Sequence, residues 1–213
     1  MNPSTETAQA FARLLLKAEA VRLSPESPFT WASGWHSPIY CDNRRLLSFP
    51  DIRTFVKKNL AKLVQEHFGK ADVVAGVATG AIAMGALVAD ELQLPFVYVR
   101  PKPKDHGMGN QIEGRLPDNA HVVVIEDLIS TGGSSLKAVE ALRKAGATIE
   151  GMAASFTYGF PIAQSAFEEA QVPLVTLSDY PHVLQVAVEQ GYIDTTQQQI
   201  LSAWRQNPAQ WGK

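Results

Sequence analysis

Residues 122–135, VVVIEDLISTGGSS, combine two kinds of group that together could bind a phosphorylated sugar. Two adjacent carboxylates, Glu126 and Asp127, follow a run of β-branched residues, and a small turn rich in hydroxyls and glycine comes after two more apolar residues. Glycines let the backbone approach a ligand closely, and free N–H groups at a helix start bind anions with help from the helix dipole. The turn is therefore expected to hold a phosphate.

A ligand for both groups must carry a phosphate and also something that two anions would hold. Ribose 5-phosphate meets this requirement, because the carboxylates would accept hydrogen bonds from its 2′- and 3′-hydroxyls while the turn takes its phosphate. A solvated strand end followed by a helix cap would explain Ser134 and Asp127, but not the whole ordered set. The residues expected to bind are Glu126, Asp127, Leu128, Ile129, Ser130, Thr131, Gly132, Gly133 and Ser134.

These residues need a strand and a helix to position them. The run 122–125 has no polar alternation, which is typical of a strand buried on both faces of a parallel sheet. We expect this strand to end at Glu126 and Asp127, because ligands bind at the carboxyl ends of parallel strands. From Asp72 onward, strand and helix patterns alternate, which predicts an α/β fold with a central parallel sheet flanked by helices. The expected strands are residues 72–77, 95–100, 121–126, 147–156 and 173–178, and the expected helices are residues 5–22, 51–68, 81–92, 134–145, 180–191 and 195–207.

The N-terminal part of the chain has a different pattern. Residues 29–44, FTWASGWHSPIYCDNR, read as a separate small unit with two short strand-like pieces. No linker rich in Pro, Gly or Ser divides the 213 residues, so we expect one domain over residues 1–213. About residues 1–70 would form the N-terminal helices and the small unit, and about residues 71–213 the α/β core with its C-terminal helices.

Two further segments could contact anions. Thr79 and Gly80 follow the first core strand and open a helix, so their N–H groups could cradle a second anion, although such residues also serve packing. Residues 100–119 show no helix or strand pattern and carry a run of positive charge. A charge run is usually a solvated face, but a phosphate-rich ligand favours a cationic flap over the site. Its cations include Arg100, Lys102, Lys104 and His106.

Three segments resemble motifs of the type I phosphoribosyltransferases, in the same chain order. Residues 122–134 resemble their phosphoribosyl pyrophosphate (PRPP) motif, residues 100–107 resemble the RxxxKDHG loop of the orotate phosphoribosyltransferases, and residues 29–40 resemble the FTLKSGRxSPxY segment of the same enzymes. The resemblance implies the type I fold with a small N-terminal hood, and transfer of ribose 5-phosphate from PRPP to orotate in pyrimidine biosynthesis. It further implies Mg²⁺ and a cytoplasmic homodimer in which the loop near Lys104 covers the partner's site.

The resemblance also assigns roles to individual residues. The implied catalytic residues are Lys104, His106 and Asp127; the implied PRPP-binding residues are Arg100, Lys104, His106, Thr79, Gly80 and residues 126–134; the implied orotate-binding residues are Ser130 and Tyr40. No protein ligand to the metal is expected, since Mg²⁺ commonly sits on substrate phosphates and waters. Ala32, Pro101 and Tyr158 stand where these enzymes often have Lys, Lys and Arg, and the departures at 32 and 158 concern recognition of the base.

Alternative functions stay open at this point. A phosphoribosyltransferase for another base should lack the segment 29–40, which is present. A non-enzymatic nucleotide-binding regulator on the same fold should carry a broad basic face for RNA, and the formal net charge of −2 does not favour a nucleic-acid partner. The longest uncharged stretch, residues 73–89, is broken by Thr79 and glycines, so no membrane association is expected. The single cysteine, Cys41, suits a reducing cytosol.

Overall fold

The computed structural model describes residues 4–31, 34, 36–102, 111–209 and 211. Its N-terminal part consists of two long helices separated by short strands. The elements are α1 (Thr5–Lys17), β1 (Val21–Leu23), β2 (Phe29–Thr30), β3 (His36–Ser37), β4 (Ile39–Cys41), a 3₁₀ helix (Asn43–Ser48) and α2 (Pro50–His67). β1 pairs with β4 and β2 with β3, both antiparallel. Residues 29–44 thus hold three short strands where the sequence predicted two, and β1 begins inside the predicted helix 5–22, because α1 ends at Lys17.

A six-stranded sheet forms the centre of the remaining chain. The elements are β5 (Val73–Val77), α3 (Ile82–Leu92), β6 (Phe96–Val99), β7 (Ile112–Glu113), β8 (His121–Ile129), α4 (Gly133–Lys144), β9 (Thr148–Thr157), α5 (Pro161–Glu169), β10 (Leu174–Asp179), α6 (Tyr180–Glu189) and α7 (Thr195–Gln206). The strand order is β10-β9-β8-β5-β6-β7. All neighbours run parallel except β7, which is antiparallel to β6 at the edge. The predicted α/β class is confirmed.

Two elements of this core were not predicted. The expectation that residues 100–119 hold no strand was wrong, because Ile112 pairs with Val99 in β7 and packs against apolar residues of the sheet. A two-residue strand is too short for hydrophobic periodicity to appear. Helix α5 was also missed; Pro161 stands in its first turn, where proline is well tolerated, and Phe167 buries its inner face.

Helices cover both faces of the sheet and make two apolar clusters. Alternate residues of β8 serve each cluster: Val122 and Val124 pack with α4 and α5, whereas Val123 and Ile125 pack with α1, α2, α3, α6 and α7. All four side chains are fully buried, which confirms the prediction for this run. Ile39 of the N-terminal unit joins the second cluster, together with Val21 and Leu46, which flank the unit in the chain. The unit is therefore packed into the core and is not separate as expected.

Strand β8 is longer than predicted, and this determines the shape of the site. It was expected to end at Glu126 and Asp127 but continues to Ile129. Its pairing with β5 stops at Ile125, opposite Gly76, whereas its pairing with β9 continues to Ile129, opposite Thr157. From Glu126 onward the strand thus loses one sheet neighbour, and the space beyond the end of β5 is free for a ligand. Among the described helices, none is long and apolar enough to cross a membrane.

Candidate functional site

The turn between β8 and α4 presents backbone N–H groups at an open helix start. The residue that caps α4 is Gly132, which has no side chain to occupy the first N–H groups of the helix. Gly132 has a φ of +83°, and a Cβ built on it would lie 2.9 Å from Phe167 Cε2, so both conformation and packing require glycine. The next two residues, Gly133 and Ser134, are exposed. This geometry suits an anion.

The other predicted residues of the turn frame this opening. Ile129 is fully buried and its carbonyl accepts a hydrogen bond from Tyr158 N at 3.1 Å, so it anchors the turn to the sheet and does not line the cavity. Leu128 lines the cavity beside Asp127 that is described below. Ser130 and Thr131 are half-buried at the start of the turn.

The two carboxylates of β8 have different environments. Glu126 is 4% exposed, and both its oxygens are used: Oε1 accepts from Asp127 N at 3.0 Å and Oε2 accepts from Ser135 Oγ at 2.8 Å. It therefore ties the strand to the first turn of α4. Asp127 is only partly buried and lies beside the loop that follows β5, where a side chain on Gly80 would overlap its carboxylate. Both carboxylates border the cavity at this point, and Asp127 is the more exposed of the two.

Electrostatics separate the two carboxylates further. Burial raises the pKa of Glu126 well above its usual range, and the nearby Asp127 charge adds to this effect. Burial also raises the pKa of Asp127, but a hydrogen bond with Glu126 and the positive charge of Arg44 oppose the shift. A buried anion in this position gains from hydroxyl donors or cations brought by a ligand, because they offset its lost hydration.

Two adjoining cavities meet at this point of the sheet. The first, of about 360 Å³, is bounded by Arg44, Thr79, Gly80, Asp127 and Ser134. The second, of about 390 Å³, is bounded by Arg100, Lys102, Lys137 and Ser134. The cavities share Val77, Ala78 and Ser134, and the Ala78–Thr79 peptide bond between them is cis. The first cavity thus contains the two carboxylates with one cation, Arg44, and the second contains three cations, while Ser134 of the turn borders both.

Arg100 lies at the base of the cationic segment. Its N–H donates to Gln111 O at 2.8 Å and Gln111 Nε2 donates to Arg100 O at 2.9 Å, so the two ends of the segment are joined next to the turn. Arg100 Nη1 lies 3.7 Å from Glu113 Oε1 and is buried without a hydrogen-bond partner among the described residues. Lys104 and His106 lie outside the described residues, as does Ala32.

Two residues of the cavities, Arg44 and Lys137, were missed at the sequence level, as was Asn43, which donates to the Asp127 carbonyl. Lys137 follows Ser134 by three positions in a helix, a spacing that places two side chains on one face, so it could have been found. Arg44 comes from the N-terminal unit, where its Nε donates to Asp42 Oδ1 at 2.6 Å; this hydrogen bond, with smaller effects of Tyr40 and Asp127, raises the pKa of Arg44. Nothing in the residue pattern places residues 43 and 44 next to Asp127.

The chain is similar to known proteins of one family. The phosphoribosyl transferase domain family matches residues 43–175, which include both carboxylates, the turn and the Thr79–Gly80 loop. The chain is 60% identical over 201 residues to the orotate phosphoribosyltransferase of Bacteroides fragilis, covering 94% of this chain and 95% of that protein. The chain belongs to the orotate phosphoribosyltransferase family.

Solved structures of similar proteins agree with this assignment. The orotate phosphoribosyltransferase of Aeropyrum pernix matches with a TM-score of 0.74 and 31% identity, over 86% of this chain and 99% of that one. The UMP synthase of Leishmania donovani matches with a TM-score of 0.79 and 26% identity, over 93% of this chain but only 42% of that longer chain. The type I fold expected for the orotate phosphoribosyltransferase family is confirmed.

The N-terminal hood of the chain is built from aromatic packing. Tyr40 on β4 has its ring 5.7 Å from that of Phe29, and the Arg22 guanidinium lies 5.3 Å from the Tyr40 ring. Tyr158, at one of the departures from the family pattern, is 2% exposed and lies 5.2 Å from the Trp31 ring and 5.3 Å from the Phe160 ring. Burial raises the pKa of Tyr158 well above its usual range, so this residue supplies no charge.

Proposed function

We propose that this chain transfers ribose 5-phosphate from PRPP to orotate, giving orotidine 5′-phosphate and pyrophosphate, as a step of pyrimidine biosynthesis. The proposal depends on one observation: the Asp127 carboxylate lies beside the open helix start of α4. A ribose 5-phosphate needs an acceptor for its hydroxyls and donors for its phosphate, and these two groups supply them. Membership in the orotate phosphoribosyltransferase family supports the choice of base.

The proposed binding mode places each part of PRPP in one part of the site. The 5-phosphate binds the turn over residues 130–134, and the ribose hydroxyls bind Asp127, with Glu126 bracing the strand against α4. The pyrophosphate lies between the Thr79–Gly80 loop and the cationic cavity, where Arg100 is supplemented by Lys104 and His106. Orotate lies towards the hood, near Ser130 and Tyr40. These positions follow from the resemblance and from the order of the cavities.

The chemistry requires charge stabilisation and no covalent nucleophile. Cleavage of the bond between C1 and the pyrophosphate oxygen leaves oxocarbenium-like charge on the ribose and negative charge on the leaving group. Asp127 holds the ribose in place, and Arg100, Lys104 and His106 neutralise the departing pyrophosphate, with Lys104 and His106 as the catalytic cations. The residues around the cavity exclude water, which would otherwise hydrolyse the activated sugar.

Mg²⁺ belongs to this proposal as a partner of the substrate. No group of three or more His, Cys, Asp or Glu side chains that could hold a metal ion occurs among the residues that the structure describes. The carboxylate available at the cavity is Asp127, and an oxygen ligand suits Mg²⁺, which keeps several waters and commonly binds substrate phosphates. When bound, the ion supplies positive charge to the pyrophosphate.

The proposal also includes a homodimer, in which the segment near Lys104 reaches the partner's site. It further includes a cytoplasmic location. The resemblance in residues 100–107 supports the shared segment, and the joined ends at Arg100 and Gln111 place its base at the rim of the cationic cavity. We also propose that residues 1–213 form one domain, since the N-terminal unit shares the apolar cluster of the sheet.

A base-selection assay tests the function. The purified protein is incubated with PRPP and Mg²⁺ and with orotate, uracil, adenine or hypoxanthine, and base consumption and pyrophosphate release are followed. We expect orotate alone to be consumed, with one pyrophosphate released per orotate. The same assay with EDTA in place of Mg²⁺ should show a large loss of rate. Consumption of another base in preference to orotate, or of none, would reject the proposal.

A further inference from the structure

Asn43 makes the hydrogen bond that joins the N-terminal unit to the carboxylate strand. Its Nδ2 donates to the backbone carbonyl of Asp127 at 2.6 Å, across 84 positions of the chain. Asn43 is only 6% exposed, although it is a polar residue at the start of a 3₁₀ helix. Burying an amide costs desolvation free energy unless its polar atoms form hydrogen bonds. Both Nδ2 and Oδ1 of Asn43 therefore need partners.

The second end of the Asn43 amide has a partner as well. Cys41 Sγ lies 3.4 Å from Asn43 Oδ1 and donates to it. Burial raises the pKa of the Cys41 thiol well above its usual value, with the Asp127 charge adding to the shift, so the thiol keeps the proton that it donates. The oxygen of the amide therefore faces Cys41 and the nitrogen faces Asp127, which fixes the orientation of the side chain.

The hydrogen bond from Asn43 meets β8 where the strand has a sheet neighbour on one side only. Beyond Ile125, β8 has no β5 neighbour and is held by β9 on one side only. Asn43 gives the Asp127 carbonyl a partner outside the sheet, and the adjacent residue, Arg44, lines the same cavity as the Asp127 carboxylate. The backbone of Asp127 is thereby held from the hood side as well as through the strand.

We propose that Asn43 is a positioning residue: its hydrogen bond to the Asp127 carbonyl sets the Asp127 carboxylate for the ribose hydroxyls of PRPP and couples the hood to the phosphoribosyl site. This inference rests on the proposed function, in which Asp127 binds the ribose. Loss of the amide leaves a buried carbonyl without its donor and lets the unsupported side of the strand shift, so the carboxylate is displaced although it stays in the chain.

A double-mutant cycle on the full-length protein tests this. The variants are Asn43→Ala, Asp127→Ala and the double variant, and the measured quantity is the dissociation constant for PRPP with Mg²⁺, by titration calorimetry. The matched control is Asn59→Ala, because Asn59 Nδ2 also donates to a backbone carbonyl, that of Phe55 at 2.8 Å, but within helix α2. Thermal unfolding of every variant is measured to check that each is folded.

We expect Asn43→Ala to raise the dissociation constant for PRPP about tenfold, the size typical of a lost buried hydrogen bond. In the Asp127→Ala background the same change should add less than about twofold, because no carboxylate is left to position. Asn59→Ala should bind PRPP as the unmodified chain does. A purely structural Asn43 would lower the unfolding temperature without this dependence on Asp127.

The cycle separates two kinds of failure. An unchanged dissociation constant in Asn43→Ala, or full additivity in the double variant, would overturn the positioning role while the ribose role of Asp127 stands. An unchanged dissociation constant in Asp127→Ala would overturn the proposed ribose site, and the inference with it.

Discussion

The phosphoribosyl half of the site and the base half are built in different ways. The phosphoribosyl half consists of one continuous segment, the end of β8 with the turn before α4, together with the loop after β5. The base half consists of two-residue and three-residue strands in the hood and the residues after β9, held by ring contacts such as Trp31 to Trp204 at 5.6 Å. Its hydrogen bonds also span long sequence distances, for example Trp204 Nε1 to His36 O at 3.1 Å.

The difference shows which half of the site restricts its residue types and which half tolerates substitution. In the phosphoribosyl half the contacts that we propose for the ligand are mainly backbone N–H groups, so the backbone conformation restricts which residue types are allowed. In the base half the structure rests on packing of side chains, and alternative residues can fill the same space. The departure at Tyr158 falls in the base half, whereas residues 122–134 match the family motif throughout.

The largest effect is expected from Asp127→Asn in the phosphoribosyl half. The amide keeps the shape of the side chain but loses the charge and one acceptor, so the dissociation constant for PRPP should rise roughly 10- to 100-fold, as for a hydrogen bond to a charged group. The Michaelis constant for orotate should change little. Titration with PRPP and steady-state kinetics measure both, with Asp90→Asn, at an exposed position in α3, as the control. Equal losses of affinity for PRPP and for orotate would contradict the division of the site into a phosphoribosyl half and a base half.

A second prediction concerns the turn itself. Gly132→Ala should lower the free energy of unfolding by about 2 to 3 kcal/mol, because a side chain is strained at a φ of +83° and its Cβ would meet Phe167. Gly146→Ala is the matched control: its φ is +89°, and nothing lies within 4 Å of its Cβ position. Only Gly132→Ala should also weaken PRPP binding. Equal losses of stability in chemical denaturation, with PRPP binding intact in both variants, would show that the turn tolerates a side chain.

The sequence predicted the strand and the helix start of the phosphoribosyl half well because their determinants are local. The buried run 122–125, the carboxylates and the glycine turn are adjacent, so both elements could be inferred together. The unequal environments of Glu126 and Asp127 could not, because they depend on Ser135 across the turn and on where β5 stops. Asn43 was missed for the same reason, since its partner is 84 positions away.

The hood was predicted less completely because its strands are too short for a periodic pattern. β2 and β3 have two residues each, and their positions are set by contacts with distant rings, not by their own propensity. The resemblance named Tyr40 and Ser130, but it did not place Tyr158 inside an aromatic cluster that includes Trp204 of α7. Long-range packing of this kind is invisible to a local pattern.

Glu126→Gln should separate stability from binding within the phosphoribosyl half. Burial raises the folded-state pKa of Glu126, so the folded chain binds more protons than the unfolded chain between the unfolded carboxyl pKa of roughly 4.3 and the folded value. The contribution of Glu126 to stability therefore falls as pH rises through this window and stays low above it. Glutamine keeps an acceptor for Asp127 N and a donor for Ser135 Oγ without the charge.

We expect Glu126→Gln to raise the free energy of unfolding at pH 7 by about 1 kcal/mol and to flatten its pH dependence above pH 4. Its effect on PRPP binding should be smaller than that of Asp127→Asn, because Asp127 is the more exposed carboxylate and both oxygens of Glu126 already accept hydrogen bonds within the chain. Denaturation between pH 4 and pH 8 measures the first effect and titration the second. A variant that is less stable at pH 7 but equal at pH 4 would mean that the Glu126 charge supports the fold.

The smallest effect is expected from Tyr158→Phe in the base half. The ring contacts remain, and the hydroxyl is neutral because burial raises its pKa, so it brings no charge that a carboxylate of orotate could use. Binding of PRPP should be unchanged and the Michaelis constant for orotate should change less than about threefold. Tyr180→Phe is the control: it removes a hydroxyl that donates to Leu201 O at 2.9 Å, so it should cost about 1 kcal/mol of stability without affecting orotate. Tyr158→Phe could instead raise the Michaelis constant for orotate more than tenfold and leave PRPP binding intact. The Tyr158 hydroxyl would then be a direct contact of the base. In that case the residue types of the base half would be as restricted as the backbone conformation of the phosphoribosyl half.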